Sequence, residues 1–427
     1  MPIFDQGYQH WQGPLTAFRW RWLAVARHGV RATLKSKIVR IMLLLAWVPA
    51  LALVVVLALW GLLEQQAESV LTFLKQILPP DVIAKPQEYR AAVWTIVYDY
   101  FFKTELTWTI FLVLAVGPSL ISKDLRFNAL PLYFSRPIRR LDYFLGKLGV
   151  IAFFIAATTI APALVAYLFG IAFSLDLSVI RDTHRLLWAG LAYGLVITLS
   201  AGTLMLALSS LSRRSIYVGI TWAGFCFLTT MVSGILIGLQ FHGHQNEIVR
   251  AEMEIWLTDH PPPAGIEMHG IYPEGRRRRR ERVPEPAENQ AEIDRFYDEW
   301  SNAIGSAYAL SGEELARDTM ASSNWRPAVS YTSNLSRIGD ALFNVDQAWV
   351  TIGKTIERPR AAMAPALAIH SHGNVPKQLL GPANERALAD RMAWQFPWQW
   401  SALILAGLWL LSILVLSSRV KSLDRLK

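Results

Sequence analysis

Six stretches of this chain run without Asp, Glu, Lys, Arg or His: residues 41–62, 106–121, 148–175, 186–211, 216–239 and 399–418. A hydrocarbon core about 30 Å thick takes roughly 20 apolar residues in helix. Five of the blocks meet that length, and the second, of 16 residues, borrows from its flanks. A core helix of a soluble protein is shorter and carries a polar stripe. The blocks therefore predict an all-α integral membrane protein with six transmembrane helices. They exclude a single soluble globule and a disordered chain. The one cysteine, Cys226, excludes an intrachain disulfide framework and a thiolate metal cluster. The first block begins behind a basic segment, too late and too long for a cleaved secretory signal, so it is expected to stay as an anchor.

Charge sets the orientation. Residues 1–40, 123–147, the turn at 213–214 and the tail from 419 together hold 19 Lys and Arg against 4 Asp and Glu. The segments between them hold 23 against 29. Lys and Arg in short flanks mark the cytoplasmic side, so both termini are expected in the cytoplasm. The basic excess then reads as topology and argues against nucleic acid as a partner. The five arginines at 276–280 fall on the outer side in this reading, within a loop long enough to escape the charge rule. If the fifth block did not span, that loop would lie in the cytoplasm instead.

The expected organisation has four parts. Residues 1–40 form a cytoplasmic amphipathic segment, with Trp20 and Trp22 at headgroup level in an interfacial helix. Residues 41–240 hold helices one to five and a cytoplasmic loop at 123–147. Residues 241–397 form a large, mostly helical extracytoplasmic loop, irregular over about 257–287. Residues 398–427 hold the sixth helix and the tail. Between the first two spans, 64–104 is expected to form outer helices broken at Pro79-Pro80. In the large loop, Ile293, Phe296, Trp300 and Ile304 recur at helical spacing, as do Leu335, Ile338, Leu342 and Phe343. Both sets predict amphipathic helices that pack on one another or lie on the outer membrane face.

Catalytic signatures are missing. There is no H-E-x-x-H and no G-x-S-x-G. Gly353-Lys354-Thr355 resembles the end of a phosphate loop, but Ala348 stands where the cradle needs glycine. His242 and His244, or His370 and His372, read as loop histidines rather than metal ligands. Gly190 and Gly194 allow close helix approach, within the subunit or between subunits. With six charge-free spans, no proton or sodium relay is expected, and no catalytic or metal-binding residues are assigned.

The informative stretch is 121–147. Leu130, Leu132, Tyr133 and Phe134 are flanked by charge on both sides, and Pro131 and Pro137 set stops. So apolar a segment outside a span usually meets a partner. The stretch resembles the membrane subunit of ABC transporters of the ABC-2 exporter type. That family carries an acidic residue, a small residue, a Leu-rich short helix, a Ser-x-Pro-x-x-Arg turn and a Gly-Lys pair after its second span. The matches are Asp124, Ala129, Leu130, Ser135, Pro137, Arg140, Gly146 and Lys147. The resemblance covers most of 15–240 and 325–427, where 334–343 is similar to a segment of bacterial permeases. It departs at Asn128, where the family usually has Gly, and at 241–325, an unusually large insertion.

The resemblance implies a permease, not an enzyme, in the bacterial inner membrane. It implies a separate ABC ATP-binding subunit that holds the ATP and Mg, and a second permease subunit, identical or not. This chain would bind no cofactor directly. The ATPase would dock on 123–147, using Asp124, Leu130, Leu132, Tyr133, Phe134 and Pro137 within the short element and Arg126, Arg136, Arg139 and Arg140 at its rim. Pro49, Pro118 and Pro162 would supply kinks. The alternative is a non-transporting scaffold or receptor that binds a ligand through 241–397.

Overall fold

The computed structural model describes residues 20–75, 78, 80–130, 133, 139–263, 266–273, 287–321, 324–352 and 396–423 of the 427-residue chain. Each charge-free block is helical. Among the described residues, six helices are long and apolar enough to cross a membrane, and the chain reads as a multi-pass membrane protein. They are span one (Lys37–Glu64), two (Pro86–Arg126), three (Arg140–Phe173), four (Ser178–Leu211), five (Ser215–Asp259) and six (Trp398–Arg419). Spans two and four are the most enclosed, whereas one, five and six turn much of their surface outward. An amino-terminal helix, Arg21–Leu34, lies along the start of span three. Gly146 makes that contact possible, because a Cβ there would come within 2.6 Å of Val25.

Three expectations need correction. First, span two does not begin at 106. The helix runs unbroken from Pro86 to Val116, turns at Gly117-Pro118 and continues over Ser119–Arg126. Among the described residues of 65–85, Glu68–Leu74 and Pro80–Ala84 form short helices ahead of it. The interruption at 90–105 comes from ionisable residues, of which the fold buries Arg90, Asp99 and Glu105. The break at Pro118 is made good by span four: Ser209 Oγ accepts from the amides of Ile121 (3.1 Å) and Ser122 (3.0 Å) and donates to the Pro118 carbonyl (3.0 Å). Gly190 and Gly194 serve packing inside the chain, facing the Phe102 ring and Ile160.

Second, span five does not stop at 239. It is one helix of 45 residues, about 67 Å at 1.5 Å per residue, more than twice the core thickness. The helix Ala287–Ala321 packs against its distal part. Val249, Met253, Ile271 and Ala307 form a small separate core there, flanked by Trp256 and Trp300. A two-stranded turn, Met268–His269 with Tyr272–Pro273, is pinned by Trp300 Nε1 donating to the Ile271 carbonyl at 2.9 Å. The periodicity at 293–304 thus holds, but its partner is the extension of span five.

Third, the helix Tyr331–Phe343 lies on no surface. It is inserted among spans two, four, five and six. Its first residue, Tyr331, packs on Trp222 and Phe225 of span five, and its hydroxyl lies 2.9 Å from Ser200 Oγ of span four. Ser200 stands 11 residues from Leu211, about 16 Å along the helix, near half the depth of a bilayer core. The inserted helix ends at Phe343, which packs on Phe102 and Tyr193. Asn344, in the left-handed conformation, closes it.

Candidate functional site

Irregular backbone at membrane depth is stable only where other groups satisfy it. The entry to the inserted helix has such groups. Ser233 Oγ donates to the Arg326 carbonyl (3.0 Å), Thr229 Oγ1 accepts from the Tyr331 amide (3.4 Å), and Asn334 Nδ2 donates to the carbonyls of Ala328 (2.6 Å) and Ser330 (2.8 Å). Ser330 caps the helix by accepting from the Ser333 amide. Opposite its start, span four makes a π-helical turn over Thr198–Gly202, a feature frequent at functional sites.

Charged side chains hold this arrangement. Lys103 of span two lies 2.8 Å from Asp99, one turn earlier on its own helix, and 2.8 Å from Asp340 of the inserted helix. Arg337 donates to the Phe396 carbonyl at the entry to span six (2.7 Å) and pairs with Asp346 at 3.5 Å. Farther along span two, Arg90 is fully buried. It grips Glu64 of span one with two hydrogen bonds (2.6 and 2.9 Å) and reaches Ser178 (2.7 Å) and Asp182 (3.1 Å) of span four. Asp176 joins at 3.5 Å. Its carboxyl is held below the usual range, first by the Ser178 hydroxyl and then by the Arg90 charge. Below these two clusters, Glu105 is fully buried.

The expectation that the six spans hold no carboxylate is therefore corrected: Glu64 of span one and Asp99 and Glu105 of span two are buried. The charges were read as outside the bilayer because they interrupt the apolar run. Yet Trp94, Tyr98, Phe102, Glu105, Thr109 and Leu112 fall on one helical stripe, and all six are buried. That periodicity, together with the one-turn spacing of Asp99 and Lys103, was the available signal.

The opposite, basic end carries the sequence-predicted docking residues. Asp124 Oδ2 accepts from the Tyr143 hydroxyl (2.7 Å) and lies 2.7 Å from Lys147 Nζ. The Lys147 ammonium sits over the rings of Tyr133 (5.6 Å) and Tyr143 (5.3 Å). Burial and the Asp124 charge push the Tyr133 phenol up. Leu130 is buried in the main core and is not the exposed anchor expected of it. Arg126 and Arg139 are exposed, Arg140 is half-buried, and the Arg139 amide donates to Asp142 at 3.1 Å. Leu132, Phe134, Arg136 and Pro137 lie outside the described residues, as do 276–280 and 353–355. Phe127 and Leu141 are the large apolar side chains most open here, each 71% exposed, and neither was singled out by sequence. Asn128 has φ +48°, a conformation suited to glycine and tolerated by asparagine.

Among the described residues no group of three His, Cys, Asp or Glu could hold a metal ion. No family model, curated protein or solved structure matches the chain.

Proposed function

We propose that this chain is the permease subunit of an ATP-driven transporter of the ABC-2 exporter type, in a bacterial inner membrane. Its basic end faces the cytoplasm, and the chain between spans five and six lies outside except for the helix Tyr331–Phe343, which returns into the bundle. It works beside a second permease subunit, with separate ATP-binding subunits that hold the ATP and Mg. The observation that carries this reading is the Asp124–Lys147–Tyr143 contact. It ties the end of span two to the start of span three across the short element between them. A force applied to that element passes into two spans at once. Arg126 and Arg139, with Phe127 and Leu141, give an ATPase a basic and apolar surface to grip. The left-handed backbone at Asn128 supports the resemblance at the one position where the local sequence departs from it.

A carrier driven by an ion gradient is the second reading, favoured by the buried carboxylates of span two.

The test is co-purification. Arg126→Glu combined with Arg139→Glu should insert normally and lose the ATP-binding subunit that the native chain retains in detergent. Full retention by this variant would remove the assigned docking surface.

A further inference from the structure

The fold finds partners for nearly every buried acid. Glu64 is held by Arg90, Trp60 and Ser174, Asp99 and Asp340 by Lys103, and Asp124 by Lys147 and Tyr143. Among the described residues, Glu105 is the exception. It is 0% exposed, and neither of its carboxylate oxygens has a hydrogen-bond partner among the described residues. Thr109, one turn on and along the same stripe, is equally buried, and its hydroxyl is equally without a partner.

Position gives this pair its meaning. Phe102, three residues before Glu105, touches Phe343 at the end of the inserted helix. Ile110, five residues after it, accepts from Trp222 Nε1, and Trp222 packs on Tyr331 at the start of that helix. Glu105 and Thr109 thus lie on the length of span two that the inserted helix covers. Glu105 stands 11 residues from Val116, about 16 Å along the unbroken helix before the Gly117-Pro118 turn.

An ionised carboxylate enclosed without a partner is costly, and costlier at membrane depth. Such a group persists where it is neutralised by something that comes and goes. A metal cation would need several oxygen ligands, whereas a proton needs none. On its own helix the nearest charged groups are Asp99 and Lys103, which hold each other. Buried titratable side chains on the elements that contact span two include Glu64 of span one, Tyr143 and Lys147 of span three, Tyr193 of span four, Cys226 of span five, and Tyr331 and Asp340 of the inserted helix. None of these forms an ion pair or hydrogen bond with Glu105.

We propose that Glu105 is a proton-binding site that loads and unloads as the inserted helix moves against span two. One proton passes between the Glu105 carboxyl and water admitted when the Lys103–Asp340 contact opens; the carboxyl O–H bond breaks or forms and nothing else is transferred. Proton occupancy and helix position are then thermodynamically linked, each biasing the other. The proposal does not depend on what drives transport.

Infrared spectroscopy of the full chain in lipid vesicles tests this without an ATPase. As pH is raised, the native chain should lose a protonated-carboxyl band that shifts when its glutamates carry 13C. Glu105→Gln should lack that band, and Asp340→Asn should move its titration, since the tether it removes controls access. A glutamate band unchanged by Glu105→Gln, or no titrating glutamate band in the labelled native chain, would overturn the assignment. The labelled native measurement needs no variant to fold.

Discussion

Lys103 and Asp340 lie 2.8 Å apart, although 237 residues separate them and one sits on span two and the other on a helix that returns into the bundle from the large loop. Asp99 shares the same ammonium. Removing the cation and removing one anion should therefore differ. Lys103→Met leaves two buried carboxylates side by side and should cost toward the low end of about 3–5 kcal/mol, because Lys103 keeps some solvent. Asp340→Asn leaves the Asp99 pair intact and should cost about 1–3 kcal/mol. Thermal unfolding in detergent, followed by loss of the monodisperse peak, should rank them in that order, and the reverse order would contradict the shared-cation reading.

The Arg90 cluster makes a different prediction. The fork onto Glu64 is bidentate, and lysine cannot reproduce it. Arg90→Lys should lower thermal stability measurably, and Arg90→Met should lower it by about 3–5 kcal/mol through a stranded Glu64. Pairing Arg90→Met with Glu64→Gln should recover part of the loss. No recovery in the double variant would mean that the arginine acts through packing alone.

Much of this fold was legible in the chain, and the misreadings share one cause. Charge-free blocks located every span, because an apolar helix has no other favourable environment. The heptad-like recurrence at 293–304 located a real helix. What failed was the assumption that charge marks the water boundary. Arg90 and Asp340 are buried because their partners, Glu64 and Lys103, come from distant parts of the sequence, and pairings of that range leave no local trace. The helix at 331–343 was legible but its insertion into the bundle was not, because its amphipathic pattern at Leu335, Ile338, Leu342 and Phe343 fits a surface helix equally well. At the docking end, the acidic and Gly-Lys positions were recognised, but the inward turn of Leu130 depends on packing that the alternation of residue types does not encode.

Ser209 should behave as part of the Pro118 turn. Ser209→Ala removes the acceptor for two amides and the donor to one carbonyl, a loss of about 1–3 kcal/mol. A double-mutant cycle with Pro118→Ala should show coupling, since restoring a regular helix gives those amides intrahelical acceptors. Strict additivity in unfolding measurements would dissociate the serine from the break.

Gly146 should be intolerant of bulk. Gly146→Leu would drive a side chain into Val25 and the Trp22 carbonyl and lift the amino-terminal helix from span three. Spin labels on that helix and span three should report a longer, broader distance, with insertion unchanged. An unaltered distance would show that the contact is not held by glycine at this position.

The most direct trial of the proposed permease is flux from sealed vesicles holding the purified chain, with and without its co-purifying ATP-binding subunit. The account predicts transport of an expelled compound only when that subunit, ATP and Mg are all present, and none from the chain alone under an imposed proton or sodium gradient. Uphill transport by the lone chain under such a gradient would contradict it and select the ion-driven reading.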